Sequence, residues 1–452
     1  MPEPSMDISR PDAVPAAGAG RDDEAGRWPL LETVHSSLIG LMVAFMGFAP
    51  RTIPLMLGVV ALVTLIEVWR SGSSVGVMAA SIFRQVPLQA ALALLAFAAI
   101  STLWAADRRL ALQSVLQVTS VVLVTGTLTA LLPGHIASLP PRRRNRFVRA
   151  VPLGGAMGLG FILAEFATGN AISLALVAHF PTLSTESAKV VVRQGDKVMG
   201  FVPFYLDRNV AAATLALPAV LLAVRGWLVP RLAVWAIGLA LMAAVTALSL
   251  SWSGAAQLAA VCGVVAALVA VRWPTRTPQV LMVAAALGIG LALPLGHLPS
   301  KFGLETAAWL APSARERAMI WDRTATAAAR TPLLGIGVQS TRFQDSGELV
   351  RIEGVKGPRR ELGWHAHNVV LQTWLEMGAV GALLLLGVCI ASLRSLGRLD
   401  PMRAPAAVAL FVMASAVGLT GWGMWQPWLM SVVGAALACL WITDGSARAQ
   451  SD

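Results

Sequence analysis

The sequence predicts an all-α polytopic membrane protein of about twelve transmembrane helices, with a helical loop region on its outer face. The 452 residues are 56% hydrophobic and only 13% charged, and the mean hydropathy is +0.69. Soluble domains carry about 25% charged residues, so this composition excludes a soluble enzyme of the same size. Apolar runs of about 20 residues, the length that spans a bilayer as a helix, recur along the whole chain.

Twelve apolar runs lack clustered charge and are interpreted as membrane spans, of which the first is short enough to be re-entrant. They lie at 36–50, 52–69, 86–105, 111–132, 149–169, 209–224, 228–249, 253–271, 278–297, 368–393, 404–422 and 425–443.

Lysine and arginine positions predict the orientation of these spans. The densest basic cluster, 142–149, lies on the same side of the membrane as the N-terminus, which the positive-inside rule assigns to the cytoplasm. Both termini are therefore predicted to be cytoplasmic, and the two long connections to face the periplasm. The predicted organisation is a disordered tail at 1–35, nine spans at 36–297 that include the outer loop 170–208, a periplasmic loop at 298–367, three spans at 368–443 and a tail at 444–452.

The net charge and the cysteine positions limit the classes of ligand and site that the chain is expected to have. The formal net charge of +11 in so apolar a chain favours anionic lipid headgroups and phosphate-bearing substrates over nucleic acid. Cys262, Cys389 and Cys439 lie in apolar runs and predict neither a disulfide framework nor a metal site. An outer Asp-x-Asp pair, a phosphate loop and a nucleophile elbow are all lacking from the sequence, so no metal or other cofactor is predicted.

A first candidate segment follows Pro312. Ser313 and Glu316 are three residues apart, which predicts a helix that begins with a capping box. Arg317 and Trp321 then share one face of that helix, and the proline and glycines of 331–337 end it. The alternative is an amphipathic interfacial helix whose arginine reaches the lipid headgroups.

A second candidate segment is 363–381. Asn368, Gln372 and Glu376 recur every four residues and predict a polar stripe on the outer half of a span, with the glutamate facing the bundle interior. His365 and His367 precede that helix, whose N-terminal dipole keeps an imidazole neutral and attracts phosphate. The alternative is a pair of histidines at the headgroup boundary beside a capping asparagine.

Three further residues are weaker candidates. Arg208 lies at the outer start of the sixth span, where its guanidinium could bind a phosphate or merely reach the headgroups. Glu67 and Glu165 are isolated carboxylates within other spans. Each could serve a proton relay, but structural pairing across the bundle is favoured.

Two motifs together resemble the O-antigen ligase and polymerase superfamily. The run His-Asn-x-x-Leu-Gln-x-x-x-Glu-x-Gly-x-x-Gly at 367–381 is similar to its signature, and Arg317-x-x-x-Trp321 followed by Pro-Leu-Leu-Gly-Ile-Gly at 332–337 is similar to its upstream pattern. The motif-bearing part is 313–381. The order of the motifs, the long outer loop and the twelve spans extend the resemblance over most of the chain.

The resemblance implies a glycosyltransferase of the lipid-donor class. Such a ligase moves an O-antigen glycan from undecaprenyl pyrophosphate to a sugar of the lipid A-core at the periplasmic side of the Gram-negative inner membrane. In that reading His367 is the base, with His365 as its substitute, while Arg317 and Arg208 hold the pyrophosphate in a metal-independent, inverting displacement. The expected supporting residues are Trp321, Asn368, Gln372 and Glu376.

Three other functions remain open at the level of sequence. A polymerase of the same superfamily, or a transferase directed to a protein, would use similar residues with a different acceptor. A transporter of lipid-linked sugar would bind headgroups through the same arginines, but carriers place their sites at the bilayer midplane, whereas these polar residues gather at one face. The acceptor sugar, the spans that admit the lipid and the oligomeric state are not predicted.

Overall fold

The computed structural model describes residues 29–180, 191–194, 197–344, 349–350, 359–360 and 362–442. The prediction of an all-α polytopic membrane protein is confirmed, because nine helices of this part of the chain are long and apolar enough to cross a membrane. The helices of the first half are α1 (Pro29–Phe48), α2 (Ile53–Arg70), α3 (Val75–Phe83), α4 (Val86–Ser101), α5 (Arg108–Ser138), α6 (Pro141–Thr168), α7 (Ala171–His179) and α8 (Asp207–Trp227). Those of the second half are α9 (Pro230–Leu250), α10 (Gly254–Arg272), α11 (Arg276–Gly290), α12 (Ala292–Lys301), α13 (Pro312–Arg330), α14 (Val369–Leu396), α15 (Ala404–Thr420) and α16 (Pro427–Ile442).

Three predicted spans differ from the observed helices, one immediately before α14 and two after it. The predicted span 278–297 is a bent pair, α11 and α12, whose axes meet at 73°. The predicted spans 404–422 and 425–443 correspond to α15 and α16, which are 17 and 16 residues long. The described residues therefore give nine full-length spans, or ten if the bent pair counts as one, in place of twelve.

The first span is not short. Helix α1 has 20 residues and begins at Pro29, so residues 29–35, which were predicted to belong to the disordered tail, are helical. The rest of the predicted N-terminal tail and the whole of the predicted C-terminal tail, 444–452, lie outside the described residues.

The outer loops contain short strands that the helical prediction missed. Strands β1 (Val191–Gln194) and β2 (Lys197–Phe201) pair antiparallel with an irregularity after Val192, and β3 (Leu349–Val350) pairs antiparallel with β4 (Arg359–Arg360). The described parts of these loops also contain helices, α7 in the first loop and α13 in the second.

Close glycine contacts fix α1 against α6. A side chain at Gly47 would overlap the backbone of Gly158, and one at Gly154 would overlap the carbonyl of Gly40. Small residues four apart let two membrane helices approach to backbone contact. The end of α1 is also joined to the start of α8, because the Asn209 amide donates hydrogen bonds to the carbonyls of Gly47 (2.7 Å) and Phe48 (2.8 Å).

One end of the bundle, here called the site face, comprises the end of α1, the starts of α5, α8 and α14, and the segment 331–344. Side-chain hydrogen bonds join that segment to α5: Ser340 Oγ accepts from the Ala106 N–H (2.9 Å), and Gln339 Nε2 donates to Ser114 Oγ (2.9 Å). Since α1 and α2 run in opposite directions, the start of α1 and the ends of α2 and α5 form the opposite face.

Helix α14 is interrupted at Gly378. Its φ of 61° and ψ of −158° are non-helical and lie in a region that only glycine occupies at low cost. The segment 332–337 satisfies the backbone groups that the break releases. The N–H groups of Ile336 and Gly337 donate to the carbonyls of Leu375 (3.0 Å) and Glu376 (2.9 Å).

The same segment also accepts hydrogen bonds from the far side of the break. Ala379 N–H donates to the Pro332 carbonyl (2.8 Å), and Val380 N–H donates to the Leu333 carbonyl (3.3 Å). Backbone groups need such partners in an apolar environment, since each unsatisfied group costs several kcal/mol there. The two sequence motifs are thus joined backbone to backbone.

Candidate functional site

His365 and His367 lie just before α14, as predicted, and their rings form one compact pair. The ring centroids of His365 and His367 are 4.1 Å apart, with the planes tilted by 39°. The chain enters the helix through Asn368, whose Oδ1 accepts from the N–H groups of Val370 (3.0 Å) and Leu371 (3.1 Å). His367 has a φ of 50°, in the left-handed region, so the backbone turns sharply at this residue.

A hydrogen bond to the backbone fixes the tautomer of His367. Its Nδ1 lies 2.5 Å from the carbonyl oxygen of Gly421. A carbonyl only accepts, so Nδ1 carries the proton and, in the neutral ring, Nε2 carries the lone pair. His365 Nε2 is buried and has no hydrogen-bond partner within the described chain.

Burial and nearby arginines hold both histidines neutral. Burial, followed by the charge of Arg317, lowers the pKa of His367 to about 4, although the bond to Gly421 opposes this. Burial, His367, Arg342 and Arg317 lower the pKa of His365 to about 3. At neutral pH the pair is therefore uncharged, with one ring nitrogen of each histidine keeping its lone pair.

Arg317 lies on α13 and projects its charge onto the histidine pair. One terminal nitrogen, Nη1, donates to the Ser313 carbonyl (2.8 Å), while its Nε is buried without a hydrogen-bond partner among the described residues. Burial lowers the pKa of the guanidinium, and the charge of Glu316 partly offsets this. A desolvated guanidinium with an unused donor favours an anionic ligand.

The predicted capping box at the start of α13 is wrong. The helix begins at Pro312 and its N-cap, Ala311, makes no side-chain cap hydrogen bond, so Ser313 already lies in the first turn. A proline with a preset φ needs no amide partner at that position, which explains the earlier start. The predicted end is confirmed, because α13 stops at Arg330, just before Pro332.

Trp321 lies one turn after Arg317 and anchors α13. It packs against a small apolar cluster that includes Ala325, Ala366 and Leu371. This contact joins α13 to the histidine segment and to α14.

Arg342 is a site residue that the sequence analysis missed. It lies in a short 3-10 turn, Ser340–Phe343, and its Nη2 donates to Gln339 Oε1 (2.6 Å). Its guanidinium lies 5.5 Å from the ring centroid of Trp364 and contributes to the lowered pKa of His365. No motif spacing in the sequence marks this position.

Arg208 reaches the site through aromatic contacts. Its guanidinium lies 5.4 Å from the ring centroid of Trp428, which in turn packs edge-on against Trp422 at 5.1 Å. Trp422 follows Gly421, the residue that holds His367. The structure therefore brings Arg208 to the segment that positions His367, whereas Arg317 acts on the histidines through its charge.

Gln372 and Glu376 of the predicted polar stripe are buried within α14, whereas the half-buried Asn368 precedes the helix as its N-cap. Gln372 Nε2 donates to Glu376 Oε1 (3.1 Å), which also accepts from Thr341 Oγ1 (2.6 Å). Trp425 Nε1 donates to the second carboxylate oxygen of Glu376 (2.5 Å). Glu376 thus ties α14 to the segments on either side of the histidine pair, and its fully used oxygens indicate a positioning role.

Glu67 and Glu165, which appeared isolated in the sequence, both have partners in the structure. Glu165 Oε1 accepts from the Ser173 N–H (2.7 Å) and Oγ (2.6 Å) at the turn between α6 and α7. Glu67 lies against His35 and His135 at the opposite face. Pairing across the bundle is therefore observed for Glu67.

Comparison with known proteins places this site within a matched segment. Residues 237–386 match the family model described as O-antigen ligase. That segment contains α13, the histidine pair and most of α14, whereas Arg208 lies outside it.

Curated relatives from Rickettsia carry the name "Putative polysaccharide ligase". The protein of Rickettsia conorii is 30% identical over 121 residues, and that of Rickettsia bellii is 31% identical over 121 residues. Each match covers 26% of this chain and 29% of the relative. The resemblance to the O-antigen ligase superfamily is therefore confirmed, and residues 237–386 are the part of the chain that matches its family model.

Proposed function

We propose that the protein is an O-antigen ligase that transfers a glycan from undecaprenyl pyrophosphate to a sugar of the lipid A-core, on the periplasmic side of the inner membrane. The observation that carries this proposal is a neutral His367, with its Nε2 lone pair, held under the charge of Arg317. A base beside an anion-binding guanidinium suits a donor whose leaving group is a pyrophosphate.

In the proposed reaction the acceptor hydroxyl gives its proton to Nε2 of His367. The acceptor oxygen then attacks the anomeric carbon, the bond from that carbon to the pyrophosphate oxygen breaks, and undecaprenyl pyrophosphate leaves. A single displacement inverts the anomeric configuration. Arg317 and Arg208 offset the charge that develops on the leaving group, so the proposed step is metal-independent.

The remaining residues would position these groups. Asn368 orients the start of α14, and Gln372 and Glu376 connect it to Thr341 and Trp425. Arg342 is an additional anion-binding candidate, because its charge falls on His365. His365 would serve as the alternative base, since its Nε2 is buried without a partner in the described residues.

The orientation belongs to the same proposal. If both termini are cytoplasmic, as the basic cluster 142–149 predicts, the site face lies on the periplasmic side, where the lipid-linked glycan and the lipid A-core meet. Polar residues gathered at one face suit two membrane-bound substrates that approach laterally, and they do not suit a carrier site at the midplane.

A gel comparison of lipopolysaccharide and undecaprenyl-linked glycan tests the proposal, in strains with the gene deleted and then restored. Deletion is expected to leave bare lipid A-core while polymer accumulates on undecaprenyl, and wild type but not His367→Ala restores the ladder. A core that carries single repeat units would indicate a polymerase instead. Two unchanged glycan pools would contradict the proposal and favour a protein acceptor or transport.

A further inference from the structure

Three side chains from three helices meet at the opposite face of the bundle. His35 near the start of α1, Glu67 near the end of α2 and His135 near the end of α5 lie together among buried residues. His35 Nδ1 and His135 Nε2 lie 2.5 Å and 2.8 Å from the same carboxylate oxygen, Glu67 Oε2. The cluster is separated from the site face by most of α1, about 20 Å at 1.5 Å per residue.

A threonine fixes the tautomer of His35. Thr64 Oγ1 donates its only proton to the Val60 carbonyl (2.8 Å), so it can only accept from His35 Nε2, which lies 3.2 Å away. The proton of a neutral His35 is therefore on Nε2, and the lone pair of Nδ1 faces the Glu67 carboxylate. Two lone pairs at this separation repel each other unless a cation or an additional proton lies between them.

This arrangement is the one that surrounds a metal-bound histidine. A ligating imidazole typically donates its other ring N–H to a hydrogen-bond acceptor, which fixes the ring and directs the free lone pair at the ion. Here Thr64 is that acceptor, and it is itself held in place by its bond to the main chain of α2.

The carboxylate supplies a fourth donor. Glu67 Oε1 is buried and has no hydrogen-bond partner within the described chain. If Glu67 binds through both oxygens, the set becomes two imidazole nitrogens and two carboxylate oxygens, and Zn²⁺ accepts such nitrogen and oxygen donors. The other nearby acid, Glu32, is already paired with Arg143 at 2.9 Å.

Aromatic contacts hold the imidazole rings of His35 and His135 in place. The edge of Phe147 meets His35 with ring centroids 5.1 Å apart, and the rings of His35 and His135 stack at 6.2 Å. Bonds of about 2.0 Å to a tetrahedral ion place independent donor atoms roughly 3.3 Å apart, so the two imidazole nitrogens must move away from Glu67 Oε2 from their present 2.5 Å and 2.8 Å. The two oxygens of one carboxylate are closer together than that, so a four-donor set that uses both of them is a distorted tetrahedron. A buried carboxylate is costly unless its charge is paired, and a divalent ion bound by the two imidazoles would pair it.

We propose that His35, Glu67 and His135 form a structural site for a divalent transition-metal ion, with Zn²⁺ as the expected occupant. The ion joins α1, α2 and α5 at the end of the bundle remote from the histidine pair of the site face. It does not participate in the proposed transfer step. The assignment is independent of the proposed function, because it rests on different residues at the other face.

Metal content of the purified full-length chain tests this site. The protein, carrying a streptavidin-binding tag in place of a polyhistidine tag, is placed in lipid nanodiscs, incubated with Zn²⁺, desalted and measured by plasma mass spectrometry. Wild type is expected to retain about one zinc ion per chain, as a closed protein site does. Glu67→Gln and His135→Ala are each expected to retain at most about a tenth of that.

Two histidine variants serve as matched controls. His179→Ala removes an exposed histidine of α7, and His367→Ala removes one ring of the pair at the site face. Both are expected to retain zinc at the wild-type level. Loss of zinc in either control would show that the ion binds elsewhere and would overturn the proposal.

Co²⁺ loading provides a readout that does not depend on a variant. Wild type loaded with Co²⁺ is expected to show the intense visible absorption of a four-coordinate ion, and Glu67→Gln, eluting as a monodisperse species, is expected to lack it. If wild type retains less than about a tenth of an ion per chain and shows no such band, the proposal fails. The cluster would then be a proton-sharing His–Glu–His network.

Discussion

The two ends of the bundle each contain a pair of histidines, and the partners of each pair differ. At the site face, His365 and His367 lie under the charges of Arg317 and Arg342. At the opposite face, His35 and His135 share one oxygen of Glu67. The arginines beside His365 and His367 disfavour protonation of these rings and favour an anion next to them. The carboxylate beside His35 and His135 instead favours a cation, which the two imidazoles can bind. The sign of the neighbouring charge, more than the histidines themselves, determines the chemistry.

The two faces also differ in what holds them together. The site face depends on backbone hydrogen bonds at the break of α14, where residues 332–337 replace the missing helical partners. The opposite face depends on side chains that project from three uninterrupted helices. Substitutions at the two faces should therefore affect activity and metal content separately.

Removal of the base should have the largest effect. His367→Ala is expected to lower the transfer rate by about 10²–10⁴-fold, because a positioned general base contributes that much. A transfer assay with purified protein and lipid-linked glycan measures this, with His179→Ala as the control that retains activity. Transfer within a factor of two of wild type would remove His367 from the proposed reaction.

Removal of the neighbouring charge should have a smaller effect. Arg317→Gln is expected to reduce kcat/KM by about 10–100-fold, since one lost charge-assisted contact to the leaving group costs about 1.5–3 kcal/mol. The same change should raise the pKa of His367, because the charge of Arg317 holds it down. A reduced rate with an unchanged pH profile would mean that Arg317 does not act on the histidine.

The break in α14 predicts that alanine substitutions at two glycines of this helix have different effects on the stability of the protein. Gly378→Ala places a side chain at a φ of 61° and against the Leu333 backbone, and is expected to cost at least about 1–3 kcal/mol of unfolding free energy. Gly387→Ala meets nothing within 4 Å and should be neutral or slightly stabilising. Thermal unfolding in nanodiscs compares the two, and equal midpoints would contradict the break.

The pH dependence of transfer should show a displaced acid limb. A pKa of about 4 means that the neutral, proton-accepting form of His367 predominates above that pH and is lost below it. The value of kcat/KM is therefore expected to remain level between about pH 5 and 7 and to fall near pH 4. An acid limb at the ordinary histidine value near 6.5 would show that the free site lacks the burial and charge described above.

The smallest expected effect comes from the opposite face. His135→Ala is expected to leave the specific transfer rate within about a factor of two, because it lies far from the proposed reacting groups, while metal content falls. A transfer assay and a metal measurement on one preparation separate the two. A loss of transfer as large as that of His367→Ala would mean that the two faces are coupled.

Sequence reasoning predicted the features that depend on local pattern. Hydropathy predicted most of the spans. The four-residue repeat of Asn368, Gln372 and Glu376 predicted a polar stripe on one helix face, because residues four apart in sequence lie on the same face of a helix. Arg317 and His367 were chosen from short motifs, and the structure brings them together electrostatically.

Features that depend on contacts across the bundle were not predicted. Arg342 reaches the site only through a 3-10 turn whose position follows from the docking of 332–337. Glu67 appeared isolated because its partners His35 and His135 lie 32 and 68 positions away along the chain, and no motif spacing connects them. The bend between α11 and α12 lies beside Gly288, Gly290 and Pro294, but the hydropathy from which the span was predicted is apolar on both sides of it.

The break at Gly378 has a consequence for how this chain is assembled. Helix α14 cannot hold its interrupted form alone, because the exposed carbonyls and N–H groups would lack partners in the bilayer core. The partners come from residues 332–337, which precede the helix in the chain. The interrupted geometry therefore arises only once that loop has docked, so biogenesis of the site face is a step that follows insertion of the last long span.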